Sequence, residues 1–267
     1  MCKKISIITV VYNNCSKIEQ TIKSVLGQRY GQYEYIIIDG GSNDGTVDII
    51  KKYSNQLAYW ISEPDKGIYD AMNKGIAVAS GDFINFMNAG DEFVNSEVLS
   101  DFIPQIRPDA IVAYGDYKIN LDGNSAYIRP TPITSLKKKI PFCHQACFVK
   151  TDYHKNHIFD TSFKILADYN LFYNAYYKDH ALFQYINVGV AVYDVGAENA
   201  SNKYFKFYIR ERYRIWGIEN NPLLQLPSEC ELIYIWASQK IKKILPSRMV
   251  MRIKLLVDSF RTHEKLF

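Results

Sequence analysis

Short runs of β-branched and aromatic residues, each followed by a segment with helical spacing, fill the first ninety residues and limit what this chain can fold into. Ile5–Val11 is a continuous apolar run of the kind a strand buried on both faces requires. Tyr33–Ile38 is a second such run and ends on Asp39. Ala58–Ile61 makes a third and Asp82–Met87 a fourth. Between the first two, Ser16-Lys17-Ile18-Glu19 reads as a capping box. It opens a helix along Ile18, Ile22, Val25 and Leu26. Thr46–Tyr53 and Ile68–Ala79 read as further helices. This alternation predicts an α/β fold, Rossmann-like, with a doubly wound and mostly parallel sheet. Ligands of such sheets lie at the C-terminal strand ends. Each predicted strand here runs into polar residues: Tyr12-Asn13-Asn14, Asp39, Glu63-Pro64-Asp65-Lys66 and Asn88-Ala89-Gly90-Asp91.

The second half is less regular. Ala110–Asn120 and Ser125–Arg129 read as a β-hairpin turned by Asp122-Gly123. Lys137-Lys138-Lys139 is a basic loop, Ala146–Val149 a short strand, and Ile165–Tyr176 a helix starting at or near Asp168. From about Tyr204 the pattern is helical. No internal repeat or low-complexity linker interrupts the chain. One domain over 1–203 with a helical C-terminal extension over 204–267 is the economical description. With 48% hydrophobic residues in 267 positions, a sizeable core is available.

Charge and cysteine usage narrow the setting. A net charge of +4 is too small to argue for nucleic acid. The cysteines (Cys2, Cys15, Cys143, Cys147, Cys230) are odd in number and scattered, which suits a reducing compartment and buried free thiols. Cys143-His144 with Cys147 lacks a second pair at zinc-site spacing. The N-terminal apolar run is too short for a signal peptide, and no uncharged run reaches membrane-spanning length. A cytoplasmic protein, or one peripheral on the cytoplasmic face, is expected. Lys240–Phe267 is basic and amphipathic, with Ile241, Ile244, Leu245, Met249, Ile253 and Leu256 at helical spacing. It suits an anionic membrane surface or packing on the domain with its basic face outward. Arg210, Arg212 and Arg214 add basic character upstream. The 21 tyrosines fit stacking on sugars or nucleobases, or simply an AT-biased genome.

Several nucleotide-binding classes lack their marks. No Gly-x-Gly-x-x-Gly follows the first strand and no P-loop is present. The stretches Ile5–Asn13, Ile36–Thr46 (with Asp39-Gly40-Gly41-Ser42-Asn43-Asp44-Gly45), Ser62–Gly75 (with Asp65-Lys66-Gly67-Ile68-Tyr69-Asp70) and Ser80–Asp91 resemble, in order, the opening of the GT-A glycosyltransferases of family 2. His144-Gln145 and Ala167-Asp168-Tyr169 are similar to that family's later marks, especially in its branch that builds surface polysaccharides of the colanic acid, O-antigen and capsule type.

The resemblance implies a GT-A fold with a nucleotide-sugar-binding half over 1–100 and an acceptor and catalytic half over 101–203. It implies a nucleotide sugar as donor, with UDP expected, and a glycan or lipid-linked glycan as acceptor. Association with the inner membrane would follow from such an acceptor. Thr9, Val11, Tyr12 and Asn13, at the end of the first strand, would hold the nucleobase, with Tyr12 stacking on it. Asp39 would accept from the base imide. Its alternative is a cap on the following turn, although a carboxylate ending a buried strand needs a partner of some kind. Asp44 divides evenly between a helix cap and a ligand role. Asp65 and Lys66 would approach the ribose and diphosphate, with Asp70 and Asn73 as weaker candidates on the helix behind. Lys74 on the same face reads as solvated. Asn88 and Ala89 complete the donor set.

The metal motif departs from the family pattern. Relatives present Asp-x-Asp where this chain has Asn88-Ala89-Gly90-Asp91. Mn²⁺ or Mg²⁺ would be held by Asp91, with Asn88 offering an amide oxygen and substrate phosphates the rest. His144 is either a further ligand or a core histidine. Asp168, among apolar neighbours, is the candidate general base for direct displacement with inversion, or else a helix N-cap. A nucleotidyltransferase would carry a Gly-rich basic loop after the first strand, and Tyr12-Asn13-Asn14-Cys15 supplies none. A non-catalytic sugar-nucleotide-binding or membrane-partner protein draws support from Asn88 and Gly90. Retention of Asp39, Asp91 and Asp168 argues against it.

Overall fold

The computed structural model describes residues 2–121, 124–194 and 205–221. The chain divides into two compact units. The first comprises 1–119 and 127–194, and the described residues of the second lie within 120–126 and 205–221.

Inside the parallel half of the sheet is β1 (Ile5–Val11), whose residues are all buried. It pairs in parallel with β2 (Tyr33–Asp39) on one side and β4 (Phe83–Phe86) on the other. β3 (Tyr59–Ser62) extends the parallel half beyond β2. β1 and β4 are buried along their whole length and β2 over its last five residues, and strands covered on both faces have no polar side to alternate with; β3, at the end of the sheet, is partly exposed. Beyond β4 the sheet turns antiparallel. The remaining strands are β5 (Glu92–Phe93), β6 (Val112–Leu121), β7 (Asn124–Ile128), β8 (Cys147–Lys150) and β9 (Phe183–Asp194). The order is β3-β2-β1-β4-β8-β6-β9-β5, with β7 beside β6. The long β9 and the two-residue β5 were not anticipated from the sequence; they pair antiparallel through Phe93 opposite Ala191.

The helices of this unit are α1 (Ile18–Leu26), α2 (Thr46–Lys52), α3 (Ile68–Val78), α4 (Val98–Phe102), α5 (Thr151–Asn156) and α6 (Ala167–Lys178). The capping box expected at Ser16–Glu19 does not form. Lys17 is the N-cap, and no side chain caps the helix. Asn14 O instead receives the N–H groups of Lys17 and Ile18. Glu19 accepts a hydrogen bond from the Tyr53 hydroxyl at 2.7 Å, because the competing tertiary partner is within reach. Ile18, Ile22 and Val25 of α1 join Ile5, Ile7, Phe83, Phe102 and Phe148 in one buried cluster. Each such side chain contributes about 1.5–3 kcal/mol by leaving water. α3 approaches the sheet closely at Gly75, where a Cβ would stand 2.6 Å from Ile8 Cγ2.

In the second unit, α7 spans Phe205–Ile215. Arg212 is 5% exposed, and its guanidinium lies 4.4 Å from the Trp216 ring centroid and 5.5 Å from that of Tyr208. Arg210 and Arg214 are exposed. The basic amphipathic segment Lys240–Phe267 lies outside the described residues. No described helix is long and apolar enough to cross a membrane. Cys2, Cys15, Cys143 and Cys147 are free thiols.

Candidate active site

Three loops at the C-terminal ends of β1, β2 and β4 are lashed together by short polar side chains. Asn13, held at φ 47, receives the Asn43 N–H on its Oδ1 at 3.0 Å and donates its own N–H to Ser42 Oγ at 2.7 Å. Asp44 accepts from Thr46 N and Thr46 Oγ1 on one oxygen and from Cys15 N on the other. Those donors, the Thr46 hydroxyl foremost, hold its carboxyl well below the usual range. Asn14 donates its N–H to Thr46 Oγ1 and its side-chain amide to Ala89 O at 3.1 Å. Asp44 therefore joins the β1 and β2 loops besides leading into α2.

Asp39 is fully buried. Its Oδ2 accepts from Gly41 N at 3.1 Å, Ser42 N at 2.9 Å and Ser62 Oγ at 2.6 Å, and its Oδ1 accepts from Ser42 Oγ at 2.5 Å. The turn-capping alternative is thus fully developed here. Oδ1 carries one donor against three on Oδ2, and so keeps acceptor capacity. Thr9 is also buried, and its hydroxyl donates to Met87 O at 2.7 Å and pairs with the Tyr35 hydroxyl at 2.9 Å. Val11 O receives the Gly40 N–H, and Val10 O that of Ala89.

Tyr12 is 64% exposed, and Gly40 brings it beside Asp65. A Cβ on Gly40 would lie 3.2 Å from Asp65 Cγ and 3.4 Å from the Tyr12 ring. An aromatic face and a carboxylate thus flank one glycine. Asp65 Oδ1 accepts from Gly67 N at 2.8 Å, in a turn that places Gly67 at φ 124. Asp70 accepts from Lys66 N at 3.0 Å, and Lys66 is exposed. Asn73 spends its amide on Phe159, donating to the carbonyl at 2.8 Å and accepting from the N–H at 2.9 Å. Lys74 is committed to Glu63 at 2.7 Å, which raises its pKa.

The loop after β4 is clamped by Thr21, which accepts from Gly90 N and donates to Asp91 O. Gln145 Nε2 donates to Asp91 Oδ2 at 2.8 Å. Asn88 Oδ1 is buried with no hydrogen-bond partner. That unpaired oxygen beside an acidic loop residue suits a hard cation completed by phosphate oxygens and water. Among the described residues, no group of three or more His, Cys, Asp or Glu side chains is arranged to hold a metal.

His144 goes to Asp168. Its Nδ1 lies 3.6 Å from Asp168 Oδ2, and its ring sits among Phe86, Phe159 and Phe172. Burial lowers its pKa, with Asp168 pulling the other way. Its Nε2 is buried and unpartnered. Asp168 lies just inside α6, whose N-cap is Leu166, so Asp168 is not the N-cap. Its Oδ1 accepts from Tyr169 N at 2.8 Å and from the Tyr69 hydroxyl at 3.1 Å. From sequence alone neither Tyr69 nor Gln145 carries a role of its own.

A parallel half with its polar loops gathered at one edge, joined to an antiparallel half carrying a nearly buried carboxylate, defines the GT-A class of nucleotide-sugar folds. Residues 6–169, more than half of the chain, match the profile of Glycosyl transferase family 2, and the chain belongs to that family. Over 100 residues it is 45% identical to an uncharacterised glycosyltransferase of Mycobacterium tuberculosis. That stretch covers 37% of this chain and 38% of the relative's length. It is 28% identical over 201 residues to a PGL/p-HBAD biosynthesis glycosyltransferase of Mycobacterium bovis, covering 71% of this chain and 76% of that one. Among solved structures, S. aureus TarS in complex with UDP shares the fold at TM-score 0.62 and 19% identity, over 81% of this chain and 65% of that one. A Pyrobaculum calidifontis mannosyltransferase in complex with GDP-Man and Mn²⁺ does so at TM-score 0.58 and 15% identity, over 99% and 88%.

Proposed function

We propose that this chain is an inverting glycosyltransferase. It moves a hexose-type sugar from a nucleotide diphosphate sugar, with UDP the favoured nucleotide, to a hydroxyl of a glycan or lipid-linked glycan. The setting would be surface polysaccharide synthesis, lipopolysaccharide included, at the cytoplasmic face of the inner membrane. The observation that carries the reading is Asp168. Its Oδ1 holds two donors, while its Oδ2 has only the His144 ring at 3.6 Å. A carboxylate with one oxygen anchored and the other presented is what a general base needs.

In this reading Tyr12 stacks on the base, and Asp65, across Gly40, meets the ribose. Lys66 neutralises charge on the diphosphate. Asp39 orders the loop that receives the base, and its Oδ1 takes the imide beside the Ser42 hydroxyl. The acceptor hydroxyl gives its proton to Asp168 Oδ2. Its oxygen forms the new bond at the anomeric carbon as the bond to the diphosphate oxygen breaks. Displacement by one external nucleophile inverts that carbon. Asp91 and Asn88 would hold the divalent cation, Mn²⁺ or Mg²⁺. Once bound, it supplies charge neutralisation for the leaving diphosphate. His144 serves Asp168 here, and the metal needs no ligand from it.

The test is release of nucleoside diphosphate from a panel of UDP-, GDP- and dTDP-sugars, with and without Mn²⁺ or Mg²⁺, water serving as acceptor. Metal-dependent release from one donor is expected. Asp168→Asn should keep donor binding and lower the rate about 10²–10⁴-fold. Wild-type turnover in that variant would remove Asp168 as the base.

A further inference from the structure

Tyr69 opens α3 one turn after the loop that carries Asp65 and Lys66, yet its hydroxyl reaches a residue 99 positions away. We propose that Tyr69 is a positioning residue that selects which oxygen of Asp168 receives the acceptor's proton. The inference rests on the reading of Asp168 as the base. The Tyr69 hydroxyl donates to Oδ1 at 3.1 Å, and the Tyr169 N–H donates to the same oxygen at 2.8 Å. Two donors on one oxygen hinder rotation of the carboxylate about its terminal bond and occupy Oδ1. Oδ2 is thereby fixed as the oxygen that faces His144 and takes the proton.

Tyr69 has little freedom to do anything else. It is 6% exposed and packs against Phe159 with ring centroids 5.2 Å apart. Phe159 is itself pinned by the reciprocal bonds from Asn73, one turn along the same helix. Burial, with the Asp168 charge adding to it, pushes the phenol well above its ordinary pKa, so it stays a donor through any working pH. The same first turn carries Asp70, which caps the Lys66 N–H. One helical turn therefore sets both the donor loop and the orientation of the base. That is the geometric coupling an in-line displacement requires.

The experiment compares wild type, Tyr69→Phe and Asp168→Asn in Mn²⁺-dependent nucleoside diphosphate release from the preferred donor, run in H₂O and D₂O. Tyr69→Phe keeps the ring and removes only the hydroxyl. Its kcat should fall about 10- to 100-fold, with donor KM unchanged and a larger solvent isotope effect, because proton transfer becomes slower. Unchanged kcat, or parallel loss of kcat and donor affinity, would overturn the proposal in favour of simple packing. Asp168→Asn at wild-type rate would instead sink the base reading itself. If Tyr69→Phe fails to fold, or no donor turns over, 3-fluorotyrosine at position 69 reports on the contact. Its ¹⁹F resonance should move on Asp168→Asn, and a resonance that stays in place overturns the proposal.

Discussion

Asp39 is buried beneath four hydrogen bonds from Gly41, Ser42 and Ser62. Asp39→Ala would strand several of those donors, at a cost of about 2–4 kcal/mol. Urea unfolding should show a loss of that size, and donor affinity should weaken as the loop loosens. A loss below about 0.5 kcal/mol would mean the loop holds itself. His154 is buried among Phe86 and Phe159, with both ring nitrogens unpartnered. Burial, with nearby His144 adding to it, lowers its pKa to about 3. Because the folded value is depressed, the unfolded chain binds the extra proton first. Its stabilising contribution is complete above the ordinary value near 6.5. It is then lost as pH falls toward 3, with a slope approaching about 1.4 kcal/mol per pH unit. His154→Phe, which keeps a ring in an aromatic niche, should flatten that slope in denaturation series between pH 7 and 4. At this scale the sequence was partly legible. Asp39 and Asp168 stand out because a carboxylate among apolar residues must find donors. Which donors they find was not legible, since Tyr69 and Asp168 meet only after the chain has folded.

At the scale of elements, β1 to β4 and α1 to α3 lie within a residue or two of where periodicity puts them, because continuous β-branched runs and helical spacing are local signals. β5 and β9 escaped because antiparallel pairing across most of a hundred residues leaves little local trace. The two residues of β5 have no period at all. The false capping box at Ser16 shows the converse, a local signal overridden when Asn14 O and Tyr53 offered better partners. Packing of α3 on β1 yields a sharper prediction. Gly75→Ala would raise helix propensity by about 1 kcal/mol, but its methyl meets Ile8 Cγ2 at 2.6 Å. Net destabilisation of about 1–3 kcal/mol is expected from overpacking, read as a lower thermal midpoint. A midpoint equal to or above wild type would show that α3 can shift away from the sheet.

For the molecule as a whole, the proposed function requires donor nucleotide and metal to bind the folded state, and such binding raises its stability. At a hundredfold excess over Kd the gain is about 2.7 kcal/mol. UDP with Mn²⁺ should raise the thermal midpoint by roughly 5–10 °C, and Asp91→Ala should abolish the metal-dependent part. The lashing of the three loops carries one more consequence. Asn13, Asn14, Ser42 and Thr46 hold them through neutral amides and hydroxyls, and Asp44 through backbone N–H groups and a hydroxyl. None of these bonds is an ion pair, so added electrolyte has little to screen in them. The frame should keep its shape from dilute buffer to molar salt. If Lys66 neutralises the diphosphate as proposed, donor affinity should fall with ionic strength in wild type and fall less steeply in Lys66→Ala.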